Sequence, residues 1–188
     1  MERMLIIVDP QVDFVSGTLP VPGAEKSMAD LALYIKERGN DYSVIVITAD
    51  SHPFNHSSFA DCGGLWQRHC VHDSVGAAIV PEILEAAYSA GSEVVVMHKG
   101  ENVAKEEYSV FQAPGAAAQI KHIIDKHNIT DVDICGLAGD VCVLSTLTDA
   151  VTLFPDISIR VLTAFSPSLD GGARLAAFIT ENPSICAK

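Results

Sequence analysis

The stretch "DVDICGLAGDVCVLSTLTDA", residues 131–150, decides the fold. Residues 131–138 form an apolar, β-rich run. From Val141 to Leu153 the pattern turns helical. Gly136 and Gly139 lie between, where a tight strand-to-helix turn needs small residues. Four more segments repeat the first half of this pattern, at residues 4–9, 43–50, 93–99 and 157–165. Such continuous apolar runs suit parallel strands buried on both faces. Helix-like stretches lie at 24–38, 116–127, 141–153 and 172–181, with a further one near 81–90. Strand alternating with helix predicts βαβ units: an α/β fold, a three-layer doubly wound parallel sheet with helices on both faces. The connection from Ser51 to Ala90 is the exception. It is long and begins with irregular polar sequence, as functional loops do.

The bulk numbers agree. A chain of 188 residues suits a single domain, 1–188, with one sizeable core. With 24 acidic against 12 basic residues the net charge is −12, which repels phosphate backbones and anionic lipid. Nucleic acid and membranes are therefore not expected as partners, and a small-molecule substrate is. The opening "MERMLIIVDP" reads as a buried strand rather than a leader, and no run reaches the roughly 20 apolar residues of a membrane span. The expected location is the cytoplasm. Five cysteines, an odd number, argue against a disulfide framework there.

In open parallel sheets the site lies beyond the carboxyl ends of the strands. The first strand ends in Asp9. The second ends in Asp50, followed by His52. The third ends in Lys99, and the fourth runs into "AGDVC". This topology gathers an acid, a metal-type pair, a base and a thiol on one edge.

A lone buried cysteine is ordinarily a core residue, and Cys135, inside the fourth strand, is read that way. Cys142 differs because it falls on the first turn of the following helix. There the dipole and free N–H groups favour a thiolate. The N–H groups of Ala138 and Cys142 together suit an oxyanion hole. Strand-end aspartates often cap turns, and lysines are ordinarily solvated. If Asp9 and Lys99 both approach Cys142, however, Lys99 stabilises the thiolate and Asp9 moves the thiol proton. Asp13 reads as a loop hydrogen-bonder.

In "DSHPFNHSSFADCGGLWQRHC", residues 50–70, Asp50 and His52 are two apart, on the same side of an extended segment. His56 follows beyond Pro53, and His69 comes later in the loop. One aspartate and three histidines suit a borderline divalent ion: Zn²⁺ first, with Mn²⁺ or Fe²⁺ as alternatives. The plainer reading is a histidine-rich surface loop. A rival site built on Cys62 and Cys70 lacks a CxxC spacing. Phe14 and Trp66 are the aromatics nearest these elements, and Trp66 is read as the wall of a ring-binding pocket.

These segments together resemble the nicotinamidase/pyrazinamidase branch of the isochorismatase-like cysteine hydrolases. The resemblance runs from "LIIVDPQVDFVSGTLPVPGA" to about residue 176, through the Asp9 segment, Lys99-Gly100, "GLAGDVCV" and the metal loop with "WQRHCV". It implies Cys142 as nucleophile, Asp9 as general base and acid, and Lys99 as the third triad member. It implies Asp50, His52 and His69 as metal ligands, with His56 a further ligand in part of the family. Ala138 then follows a cis peptide bond, and Phe14, Trp66 and Tyr108 line the ring pocket. The implied activity is hydrolysis of nicotinamide, and of pyrazinamide, to the acid and ammonia in NAD salvage. Many relatives of this kind self-associate, so a homo-oligomer stays open. Gly139 departs from the common Thr or Ser and is expected to loosen the turn. Two other readings stand beside this one: another amide or vinyl-ether hydrolase of the superfamily, and a metal-binding sensor with Cys142 as a redox thiol.

Overall fold

The computed structural model describes residues 2–187. Six parallel strands form one sheet: β1 (Glu2–Val8), β2 (Val44–Asp50), β3 (Glu93–Lys99), β4 (Ile129–Gly136), β5 (Ser158–Val161) and β6 (Cys186–Ala187). Their order is β3-β2-β1-β4-β5-β6. The helices are α1 (Val12–Val15), α2 (Ala24–Arg38), α3 (Pro81–Ser89), α4 (Ala116–His127), α5 (Leu144–Leu153) and α6 (Ala173–Glu181).

The three layers follow from side-chain alternation. Along β1, Leu5 and Ile7 point to one face, and Met4, Ile6 and Val8 to the other. The first face takes α2 through Met28, Leu31, Ala32 and Ile35, an apolar stripe at helical spacing, and α3 through Ile83, Ala86 and Ala87. The second takes α4 through Ile120, Ile123 and Ile124, α5 through Leu147, and α6 through Leu175.

Because β1 pairs with β2 on one side and β4 on the other, the winding reverses between β1 and β4. The carboxyl ends of these two strands carry Asp9 and the turn before Cys142. Gly136 makes their approach possible. It sits at φ +124°, and a Cβ there would lie 2.1 Å from the Val8 carbonyl oxygen.

Besides shifts of one to three residues at other ends and the short, unforeseen α1, three differences from the sequence reading stand out. β4 stops at Gly136 rather than 138, where the glycine leaves the extended conformation. β5 stops at Val161 rather than 165. Its last partner on β4 is Ile134, and a 3₁₀ turn follows at Thr163–Phe165. Strand β6, only two residues long, carries no periodicity to read and was not foreseen.

Candidate active site

Lys99 closes β3 fully buried, and its ammonium is the hub of the site. Nζ lies 2.5 Å from Asp50 Oδ1, 2.9 Å from Asp9 Oδ2 and 3.7 Å from Cys142 Sγ. Oxygens of Asp9 and Asp50 and the Cys142 sulfur lie within 4.8 Å of one another, a grouping that by itself would suit a cation. The lysine supplies that cation. A buried ammonium is tolerable only with such partners. Strand register brings this about, since Asp50 and Lys99 are direct neighbours on β2 and β3.

Asp9, also fully buried, has a backbone φ of 47° that turns its carboxylate inward. Oδ1 accepts the Thr48 hydroxyl at 2.7 Å. Oδ2 lies 2.9 Å from the Lys99 ammonium and beside the Cys142 sulfur, within reach of the thiol proton. Burial pushes the Asp9 carboxyl up to about 6, with Lys99 pulling the other way and Asp50 adding to the rise. Asp50 differs: burial would raise it, but Lys99 and His52 hold it below the usual carboxylate range. The two carboxylates are thus driven apart, one to exchange protons and one to stay charged.

Cys142 lies not in a regular first helical turn but in a π-type turn, Gly139–Val143, that leads into α5. Its thiol is pushed well up by burial, against the pull of Lys99, and further by the negative charge of Asp9 and Asp50. At this buried sulfur desolvation outweighs the favour that the helix end gives a thiolate, so the thiol proton needs a base, the role read for Asp9. The Leu137–Ala138 peptide bond is cis. The Ala138 N–H makes no hydrogen bond to another described residue.

Gly139 does not loosen the turn as expected. Its N–H donates to the Pro167 carbonyl at 2.8 Å, and a Cβ on it would lie 2.4 Å from both the Ser166 carbonyl oxygen and Ser168 Oγ. The buried Asp140 carboxylate accepts the N–H groups of Leu169 at 2.9 Å and Asp170 at 3.1 Å. Segment 166–170 is thus laid against the turn, and only glycine fits beneath it.

The metal-type residues meet beside the triad. Donor atoms of Asp50, His52 and His69 lie within 4.8 Å of one another, all on buried side chains. His52 Nδ1 is 3.0 Å from the Gly100 carbonyl, and His69 Nδ1 is 2.7 Å from that of Gln67. A carbonyl only accepts, so each Nδ1 carries a hydrogen, and in the neutral ring each Nε2 is the nitrogen left to ligate. His52 Nε2 is buried with no hydrogen-bond partner, an orphan that a divalent ion would satisfy. Burial holds His69 below the ordinary imidazole range, in its neutral ligating form. The donor set fits an ion such as zinc.

His56, counted as a ligand from sequence, stacks on His52 at 4.3 Å. Its Nε2 lies 3.2 Å from the Lys105 carbonyl and its Nδ1 2.7 Å from Ser58 Oγ, so both nitrogens are engaged. Its donor atom also groups with His52 and Glu106 within 4.8 Å. The rival pair does not assemble: Cys62 is exposed, Cys70 is buried, and neither joins a metal-type group among the described residues.

Several supporting residues carried no sequence signal strong enough to single them out. Buried Gln11 clamps the backbone of Asp50, donating to its carbonyl at 2.8 Å and accepting its N–H at 2.7 Å. Phe59 packs edge-on against His52 at 5.6 Å and beside His69 at 5.6 Å. Asp13, read as a loop hydrogen-bonder, accepts the N–H of Cys70 at 2.7 Å and holds the chain next to His69.

A pocket opens over these groups, with about 390 Å³ of empty space that includes its open mouth. Phe14, Trp66 and Tyr108 line it, together with Cys142, Ala138 and His69. Trp66 Nε1 donates to Tyr108 Oη at 3.1 Å. Leu19, Val21, Glu106, Val141 and Leu169 also line it and were not foreseen.

Residues 3–161 match the family described as Isochorismatase domain. The chain belongs to the isochorismatase family. It is 33% identical to the nicotinamidase of Escherichia coli, over 80% of this chain and 77% of that protein. It is 31% identical to the nicotinamidase/pyrazinamidase of Mycobacterium tuberculosis, over 93% and 91%. Among solved structures it superposes on the pyrazinamidase of Pyrococcus horikoshii in complex with zinc, with a TM-score of 0.85 and 30% identity, covering 100% of this chain and 99% of that one. The TM-score against the yeast nicotinamidase bound to the inhibitor nicotinaldehyde is 0.84, at 25% identity over 99% and 100%.

Proposed function

We propose that this isochorismatase-family hydrolase is a nicotinamidase, converting nicotinamide, and pyrazinamide in the same pocket, to the carboxylic acid and ammonia. The observation that carries this reading is the Lys99 ammonium, shared by Asp9, Asp50 and Cys142, of which Asp50 and Cys142 line an aromatic-walled pocket.

The substrate ring packs beside Phe14 and Trp66, with the carboxamide carbon above Cys142. Asp9 Oδ2 takes the thiol proton as Sγ attacks that carbon, and Lys99 balances the charge on sulfur. The carbonyl oxygen becomes an oxyanion held by the N–H groups of Ala138 and Cys142. Asp9 then gives its proton to the amide nitrogen, the C–N bond breaks and ammonia leaves. Water, deprotonated by Asp9, attacks the thioester. The C–S bond breaks, the acid departs, and the proton on Asp9 returns to sulfur.

Asp50, His52 and His69 are assigned as the ligands of a divalent ion, Zn²⁺ by the donor set, with His56 stacked against them as a candidate fourth. When bound, the ion acts as a Lewis acid that orients a ring nitrogen and polarises water. A zinc complex of a structural relative supports this assignment. No described helix is long and apolar enough to cross a membrane. With the acidic charge and five free cysteines, that supports a cytoplasmic enzyme of NAD salvage, its whole chain one catalytic domain.

The test is ammonia release from nicotinamide, with Cys142→Ala and a metal-stripped sample alongside. Release by the native protein and loss by several orders of magnitude in Cys142→Ala are expected. Appreciable turnover by Cys142→Ala would refute the thioester route. A native, zinc-loaded protein inert on nicotinamide but active on another amide would point to a different hydrolase of the family.

A further inference from the structure

The loop that leaves β3, residues 100–107, forms the outer wall of the metal site. It offers three carbonyls to the metal loop: Gly100 O lies 3.0 Å from His52 Nδ1, Val103 O accepts the Ser57 N–H at 2.8 Å, and Lys105 O lies 3.2 Å from His56 Nε2. What closes this loop on itself is Glu107. Its side chain is buried, unusual for a glutamate. Oε2 accepts the Gly100 N–H at 3.1 Å, and Oε1 pairs with Lys105 Nζ at 3.3 Å. The peptide unit that Glu107 grips has a second anchor, since the Lys99 carbonyl accepts the Ser51 N–H at 2.9 Å, between Asp50 and His52.

Gly100 has no slack. It sits at φ +74°, and a Cβ on it would lie 2.4 Å from His52 Cε1. The His52 ring thus rests against the Gly100 backbone, and the orientation of that backbone sets where His52 Nε2 points. The bases of the loop are Lys99, in the triad, and Tyr108, in the pocket wall. One carboxylate therefore joins three parts of the site.

We propose that Glu107 is a positioning residue for the metal seat, its carboxylate holding the Gly100 backbone so that the His52 ring is presented to the ion. This rests on the reading of Asp50, His52 and His69 as ligands. Toward Gly100 the chemistry is that of a hydrogen-bond acceptor, while the half-exposed Lys105 takes the other oxygen: glutamine at 107 keeps the acceptor at the same reach, whereas aspartate keeps the charge but falls one methylene short.

The experiment measures zinc affinity by competition with a chromophoric chelator for the native protein, Glu107→Ala, Glu107→Gln and Glu107→Asp, together with the melting temperature of each metal-free protein. Losing a group that holds a ligating histidine typically weakens metal affinity about 10- to 100-fold. That loss is expected for Glu107→Ala and Glu107→Asp, with Glu107→Gln close to native and the metal-free melting temperatures of Gln and Asp alike. If Glu107→Ala does not fold, the contrast between Gln and Asp decides alone. Native affinity in Glu107→Ala or Glu107→Asp, or a loss in Glu107→Gln equal to theirs, overturns the proposal. A native protein that binds no zinc removes the ligand reading itself, a result separable from the failure of Glu107 alone.

Discussion

Asp50 and Lys99, paired across β2 and β3, meet at 2.5 Å between Oδ1 and Nζ, while Asp50 Oδ2 faces His52 Nε2 at 3.7 Å. One carboxylate thus turns one oxygen to the catalytic ammonium and the other to the metal seat. The triad and the ion are not separate modules, because removing the charge at residue 50 disturbs both.

Asp50→Asn tests this. It deletes a ligand and half of the partnership of a buried lysine. Zinc affinity is expected to fall beyond the roughly 10- to 100-fold that loss of a ligand's supporting group costs. Ammonia release is expected to fall with it, and saturating zinc should fail to restore it, since Lys99 has lost its partner as well. Full rescue by added zinc would show that Asp50 serves the ion alone.

Metal removal separates the two halves the other way. The contacts of Lys99 with Asp9 and Cys142 involve no metal ligand. Dialysis against a chelator is expected to abolish turnover of nicotinamide while Cys142 still alkylates with iodoacetamide at its former rate, read by mass spectrometry. A thiol that stops reacting in the stripped protein would mean that the ion assembles the triad.

The pH profile follows from Asp9. Burial raises its carboxyl to about 6, and the reaction begins with the ionised form. A group that must be deprotonated gives a rate that rises with pH through its pKa. So kcat/KM should fall about tenfold per unit below about pH 6. The Thr48 hydroxyl, donating to Asp9 Oδ1 at 2.7 Å, favours the ionised form. In Thr48→Val that support is gone and the acid limb is expected to move to higher pH. An unmoved limb would assign the titration to another group.

How far these features could be read in advance depended on their range along the chain. The first five strands were legible because each lies in a largely apolar run, and α2 to α6 because each is long enough to show its own period. Asp9, Asp50, Lys99 and the Cys142 turn were legible because a parallel sheet delivers its strand ends to one edge. Resting protonation was not, since desolvation depends on what closes over the site. Gln11 acts on Asp50, 39 residues away, whereas Phe59 and Glu107 act within their own irregular loops, where no period marks them. Gly139 was visible only as a departure. Its reason, the chain at 166–168, lies about thirty residues further on.

That reason is itself testable. Gly139→Thr restores the commoner residue type, but the new Cβ meets the Ser166 carbonyl at 2.4 Å, a backbone atom that cannot swing aside. Overpacking of this kind costs about 1–3 kcal/mol, a lowering of the melting temperature by several degrees. The shift should also carry Ala138 away from the oxyanion position, so kcat is expected to fall more than KM rises. A variant as stable as the native protein would mean that segment 166–170 yields easily.

The pocket wall offers the most selective change. Trp66 and Tyr108 are joined by a single hydrogen bond of 3.1 Å, from the indole N–H to the phenol oxygen, and both line the cavity above Cys142. Replacing Trp66 by Phe keeps an aromatic face but removes the donor and part of the ring. Binding of substrate and transition state should weaken together, which raises KM and leaves kcat nearly unchanged. Tyr108→Phe removes the same hydrogen bond from its other end, and if the bond acts as a unit, the double variant should be little worse than either single one. Steady-state kinetics on nicotinamide for the three variants distinguishes the cases. Additive losses would mean that each ring contacts the substrate independently, and a collapse of kcat in Trp66→Phe would place the indole closer to the chemistry than the wall of a pocket.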